Sequence, residues 1–122
     1  MPLVVTKAYM IGYPKCTTCK KCEKALQDLG IEYEYRNIKE DNPTKEELQS
    51  WLDKGVQLKQ LFNTSGMLYR ELNVKERRKT DSEDQLLELL SSNGMLVKRP
   101  IVIQGDTVLV GNKSKEYQDQ LK

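Results

Sequence analysis

All three cysteines of the chain fall in one stretch, Gly12-Tyr13-Pro14-Lys15-Cys16-Thr17-Thr18-Cys19-Lys20-Lys21-Cys22. An apolar, strand-like run precedes it, and a helix-like run from Cys22 to Leu29 follows. This placement constrains the fold more than any other feature. A Cys-x-x-Cys at a strand-to-helix turn puts its first thiol at the helix N-terminus. There, unpaired backbone N–H groups and the macrodipole favour negative charge. Both lower a thiol pKa and raise its thiolate fraction, and Lys15, Lys20 and Lys21 add positive charge nearby. The second thiol follows one turn later, within disulfide reach if the first turn adapts. Cys16 is therefore the candidate nucleophile and Cys19 the candidate resolving thiol.

At 122 residues the chain predicts a single domain. Charged residues make up 31% with a net charge of only +2, a balance that marks neither a nucleic-acid binder nor a membrane-surface protein. No apolar run approaches the roughly 20 residues a bilayer span needs. Residues 1–7 lack the basic-then-apolar layout of a signal peptide, so the expected home is the cytoplasm. In that reducing compartment clustered cysteines mean catalysis, redox switching or metal rather than a disulfide framework. Metal is disfavoured: three cysteines on one helix diverge around its axis and the chain has no histidine to assist. Cys22 shares a helical face with Ala25, Leu26 and Leu29, which predicts a packed core thiol.

Along the chain, Thr6 to Tyr13 reads as a first strand, broken by Pro14. A helix is expected from Thr17 to Leu29, closed by Gly30. Ile31 to Ile38 alternates apolar and charged residues as a second strand, and the short links predict a right-handed, parallel βαβ unit. The middle is helical. Thr44 with Glu47 forms a capping box for a helix carrying Leu48, Trp51 and Leu52 and ending at Gly55. Leu58 to Phe62 is an apolar patch. Asn63-Thr64-Ser65-Gly66 offers a cap for a helix with Leu68, Tyr69 and Leu72. Lys75 to Lys79 is a basic loop or short helix with a mainly solvated surface. Ser82 with Gln85 is a second capping box, opening a helix with Leu86, Leu87, Leu89 and Leu90 that ends at Asn93-Gly94. Ile101 to Ile103 and Thr107 to Val110 flank Gly105-Asp106, a two-residue hairpin signal. Asn112 or Ser114 is expected to cap a terminal helix bearing Tyr117 and Leu121.

This order, with Cys-x-x-Cys at the first turn, resembles the thioredoxin-like fold and, more closely, the arsenate reductase-like family that includes Spx-type regulators. Three further pieces carry the resemblance: Phe62-Asn63-Thr64-Ser65-Gly66 followed by Tyr69-Arg70-Glu71-Leu72; Gly94-Met95-Leu96-Val97-Lys98-Arg99-Pro100-Ile101; and Val110-Gly111 before the last helix. They span nearly the whole chain. The resemblance implies an α/β, thioredoxin-like domain over residues 1–122. Its four-stranded mixed sheet would follow the order β-α-β, helical insertion at about 43–94, β-β-α. It also makes Cys16 the catalytic cysteine, Arg70 and Arg99 the arginines that hold an oxyanion, and Pro100 a cis-proline facing the cysteine loop. Arsenate reductases of this type resolve their cysteine with external glutathione. Cys19 looks instead like the second cysteine of Spx and of other bacterial members. Ser65 stands where some relatives carry another arginine, and Cys22 where the family has a small apolar residue. Lys113 or Lys115 would take the place of a third anion-binding arginine.

The expected function is a thiol-dependent oxidoreductase acting on a small oxyanion or disulfide. It would need no bound cofactor, and an external glutathione or thioredoxin-type reductant would reset it. Two alternatives stand beside it. One is an Spx-like redox-sensing regulator that binds RNA polymerase without turnover. The other is a glutaredoxin-like disulfide reductase.

Overall fold

A computed structural model describes residues 7–121 of the protein. The chain divides into two compact units. One comprises residues up to Arg36 together with those from Arg99 onward; the other is Asn37–Lys98.

The first unit is built on a four-stranded sheet of order β2-β1-β3-β4. Its strands are β1 (Ala8–Gly12), β2 (Tyr33–Asn37), β3 (Ile101–Gln104) and β4 (Thr107–Val110). Thr6, predicted to open the first strand, lies outside the described residues. The Ala8 N–H donates to the Glu32 carbonyl at 2.9 Å, so the beginnings of β1 and β2 lie side by side and the pair is parallel. Helix α1 (Thr17–Asp28) supplies the crossover such a pair requires. Its C-terminus is a Schellman motif: Ile31 N–H donates to the Leu26 carbonyl and Gly30 N–H to that of Gln27, both at 3.0 Å. Strand β2 is shorter than the Ile31–Ile38 alternation suggested. β1 pairs antiparallel with β3, Met10 opposite Val102. β3 and β4 form the predicted hairpin, Gln104 opposite Thr107 across Gly105-Asp106. The sheet is therefore mixed, as the thioredoxin-like reading required.

On one face of this sheet Met10 and Val102 pack against Cys19, Cys22 and Leu26 of α1 and against Tyr117 and Leu121. Those last two close the unit: a 3-10 turn (Ser114–Glu116) leads into α6 (Tyr117–Gln120). Neither Asn112 nor Ser114 caps this segment, against expectation; Lys113 holds the cap position without a side-chain hydrogen bond. The Asn112 side-chain oxygen, Oδ1, is already taken. It accepts from the Cys22 thiol at 3.8 Å and from the Ser114 hydroxyl at 3.2 Å.

The second unit is helical: α2 (Lys45–Asp53), α3 (Met67–Glu71), α4 (Val74–Thr80) and α5 (Glu83–Ser92), with 3-10 turns at Leu58–Leu61 and Gly94–Leu96. Both capping boxes form. Glu47 N–H donates to Thr44 Oγ1 at 3.1 Å while Thr44 N–H donates back to Glu47 Oε1 at 3.0 Å. Ser82 and Gln85 reciprocate at 3.2 and 2.8 Å. Leu48, Trp51, Leu61, Phe62, Leu87, Leu90 and Leu96 are buried here. Phe62 pairs with Val97 in an isolated antiparallel bridge. The basic run is a helix, α4. Arg77 pairs with Asp81 at 2.9 Å, and Arg78 lies over the Phe62 ring at 5.1 Å while donating to the Tyr69 hydroxyl at 3.1 Å. The expected side-chain cap of α3 does not form. Asn63 instead donates to the Met95 carbonyl at 3.3 Å, and Gly66 holds the cap position with no side chain to offer.

Candidate functional site

The site grows out of the β1–α1 turn. Cys16 is the N-cap of α1, in extended backbone conformation (φ −89°, ψ 118°). Its Sγ accepts a hydrogen bond from the Cys19 N–H at 3.4 Å. The sulfur thus occupies the place a serine or aspartate oxygen takes at a helix start, and it satisfies one of the unpaired N–H groups there. Cys16 is half-buried and a free thiol, as are the buried Cys19 and Cys22.

One turn along, Cys19 faces inward. The Tyr13 N–H donates to its Sγ at 3.5 Å. Gly12 makes this approach possible. A Cβ at that position would stand 3.3 Å from Cys19 Sγ and 3.0 Å from the Tyr35 hydroxyl.

Arg99 completes the group from the start of the hairpin segment. Its guanidinium carbon lies 5.5 Å from the centroid of the Tyr13 ring, an arrangement that holds the planar cation by its face. Its Nε and Nη1 are buried and find no hydrogen-bond partner. Buried polar groups are rarely left so, and here the donors are charged. The Arg99–Pro100 peptide bond is cis, and Pro100 is buried.

The two thiols are driven apart electrostatically. At Cys16 burial works to keep the proton on. The hydrogen bonds from the Cys19 side chain and backbone, together with the charge and hydrogen bonding of Arg99, outweigh it, so the pKa falls below the ordinary thiol value. At Cys19 burial dominates and pushes the pKa up to about 12. The sulfur of Cys16 adds to the rise, while Tyr13 N–H and Arg99 offset only part of it. Lys15, Lys20 and Lys21, expected to help Cys16, are all exposed. Solvent screens charges so placed, and the cation that acts on the sulfur is Arg99.

The structure thus brings Cys16, Cys19 and Arg99 together in the first unit. Arg70 belongs to the second, exposed on α3. Cys22 is fully buried in the core that its helical face predicted. Tyr13 and Tyr35 were not anticipated as site residues. The only signal for Tyr35 was the strand alternation that puts it on the same side as Tyr33. Among the described residues no group of three or more His, Cys, Asp or Glu is placed to hold a metal ion. No helix among them is long and apolar enough to cross a membrane.

The model of the ArsC family matches residues 11–120. The Bacillus subtilis protein YusI is 50% identical over 88% of this chain and 92% of its own length. The global transcriptional regulator Spx of Listeria innocua is 31% identical over 86% of this chain and 79% of its own. Among solved structures, an ArsC family related protein from Bacteroides fragilis superposes with a TM-score of 0.90 at 42% identity, over 97% of this chain and 100% of that one.

Proposed function

The chain belongs to the ArsC family, and from that premise we propose that it is a thiol oxidoreductase with Cys16 as nucleophile, Cys19 as resolving thiol and Arg99 as anion-binding group. One observation carries the reading. A half-buried thiol with a lowered pKa lies beside a guanidinium whose buried Nε and Nη1 have no acceptor. The oxygens of a small oxyanion would supply acceptors in the bidentate geometry that arginine favours.

In the first step the Cys16 thiolate attacks the central atom of the oxyanion. A sulfur–substrate bond forms and one oxygen leaves as water or hydroxide, its charge stabilised by Arg99. Cys19 then attacks the Cys16 sulfur. The Cys16–substrate bond breaks and its electron pair departs with the substrate, which is reduced by two electrons. The two thiols become a Cys16–Cys19 disulfide. They stand three positions apart across the first helical turn, a spacing such a bond can close. A disulfide substrate would follow the same path, with a thiolate as first leaving group. An external reductant, glutathione or a thioredoxin-type dithiol, then restores both thiols. Free thiols suit a reducing compartment, and we assign the protein to the cytoplasm.

The test is mass spectrometry of the whole protein treated with arsenate, with and without reductant, for the native chain and for Cys16→Ser and Cys19→Ser. The native chain should lose the mass of two hydrogen atoms as the Cys16–Cys19 disulfide forms, and Cys16→Ser should form none. Cys19→Ser should stall as an adduct on Cys16 or await glutathione. A disulfide formed as readily in Cys16→Ser as in the native protein sinks the assignment.

The likeness to Spx favours a second reading, in which oxidation of the same cysteine pair switches binding to RNA polymerase. Tight, oxidation-sensitive capture of the C-terminal domain of the polymerase α polypeptide would select it; turnover of arsenate without such binding would reject it.

A further inference from the structure

The resolving step has an unmet requirement. Only a thiolate attacks sulfur, yet Cys19 is buried and its thiol is pushed up to about 12. The chain has no histidine to take the proton. The Tyr13 N–H donates to its sulfur, at 3.5 Å, and a single long hydrogen bond is little support for a buried negative charge.

A second donor lies at hand. The Tyr35 hydroxyl and the Cys19 sulfur press on the same point in space, 3.0 and 3.3 Å from where a Cβ on Gly12 would be. Gly12 has no side chain to separate them. Tyr35 packs on the same core cluster as Cys16 and Cys19, and its hydroxyl makes no hydrogen bond among the described residues. Burial, then the charge of Cys19, then those of Glu23, Cys16 and Tyr33, push its own pKa up to about 12, so it keeps its proton and remains a donor. The groups that bear on this pair are therefore Cys16 at the N-cap of α1, Glu23 from α1, Tyr33 from β2, Arg99, and Tyr117 from α6.

We propose that Tyr35 is a positioning residue for Cys19: its hydroxyl donates a hydrogen bond to the Cys19 sulfur as that sulfur ionises and attacks the adduct on Cys16. With the Tyr13 N–H it forms a two-donor pocket for a thiolate. The pocket serves the second chemical step and leaves the first alone. The inference rests on the roles assigned above to Cys16 and Cys19.

The reduced, full-length protein is mixed with dithiobis-nitrobenzoate. Cys16 attacks the reagent and releases one coloured thionitrobenzoate, at a rate that rises with reagent concentration. Cys19 then attacks the Cys16 sulfur, expels the second thionitrobenzoate and closes the Cys16–Cys19 disulfide, at a rate independent of reagent. The Cys19 proton passes to solvent. In Tyr35→Phe the first phase should be unchanged. The second should slow about tenfold, the scale of a lost hydrogen bond to a charged group, and its pH profile should move to higher pH. Gly12→Ala, which places a methyl 3.0 Å from the hydroxyl and 3.3 Å from the sulfur, should slow the same phase. A thermal melt of each variant reports whether the fold survives; a merely structural role would not shift the pH profile of one phase alone. An unaltered second phase in Tyr35→Phe overturns the proposal and leaves the Cys16–Cys19 reading standing. Absence of any reagent-independent phase in the native protein overturns both.

Discussion

At the scale of single residues, Arg99 bears on both thiols of the pair. Its charge lowers the pKa of Cys16 and opposes the rise at Cys19. Its Nε and Nη1 are buried without a hydrogen-bond partner, the donors that the proposed oxyanion would use. Arg99→Ala removes both contributions. The pH profile of Cys16 alkylation should then move upward, because the thiolate has lost a neighbouring cation while burial still opposes it. Anion turnover should suffer more. A charge-assisted hydrogen bond contributes about 1.5–3 kcal/mol, so kcat/KM for an oxyanion should fall roughly ten- to a hundredfold. Arg99→Lys keeps the charge and loses the planar fork. It should restore the alkylation profile more fully than it restores kcat/KM. Equal recovery of both would mean that Arg99 acts as a point charge only.

At the scale of elements, the turns differ in how tightly they specify the structure. The Thr44 and Ser82 boxes close over three residues, so a local pattern suffices to find them. Gly94 is different. It opens the 3-10 turn after α5 and is buried there. A Cβ at this position would overlap the main-chain carbonyl of Ile38 and crowd Asn42, which itself donates to the Ser91 carbonyl. Backbone cannot yield as a flexible side chain can. Overpacking of this kind costs about 1–3 kcal/mol, and Gly94→Ala should reach the upper part of that range in chemical denaturation of the full-length protein. Gly94 lies outside the unit holding the cysteines, so Cys16 alkylation measured well below the transition should be unchanged. A loss of stability under about 0.5 kcal/mol would mean that the segment around Ile38 shifts to admit the methyl.

At the scale of the whole molecule, element types were legible because their signals are local: alternation in β2, glycine at the end of α1, Gly105-Asp106 between β3 and β4. The Cys16–Cys19 pair was legible because a motif at a strand-to-helix turn implies its own electrostatics. Arg99 could be named only by resemblance, since it stands 80 positions beyond Cys19 in the sequence. Tyr13 as the face that holds Arg99, and Tyr35 as the neighbour of Cys19, depend on how β1, α1 and β2 pack, which periodicity does not encode. The same packing sets the response of the fold to alkali. Cys16 has a lowered pKa in the folded state, so it contributes stability that is complete above the ordinary thiol pKa, near 8.5, and is lost as pH falls through its folded value. Cys19 has the opposite sign. Between about pH 8.5 and 12 the unfolded chain releases this proton and the folded one holds it, so the unfolded state gains stability as pH rises. The limiting slope for one such group is about 1.4 kcal/mol per pH unit. The buried Tyr117, whose pKa is also raised by burial, adds to the alkaline loss of stability, so the informative quantity is a difference between variants. Cys19→Ala creates a small cavity, which subtracts a constant from stability at every pH. It also deletes the alkaline slope. Urea unfolding of the reduced native protein and of Cys19→Ala, measured from pH 7 to 11, should give curves that converge as pH rises, with Cys19→Ala less stable at neutrality and losing less thereafter. Parallel curves would mean that Cys19 ionises in the folded protein as easily as in the unfolded chain, and with that the need for a thiolate-binding pocket around it would disappear.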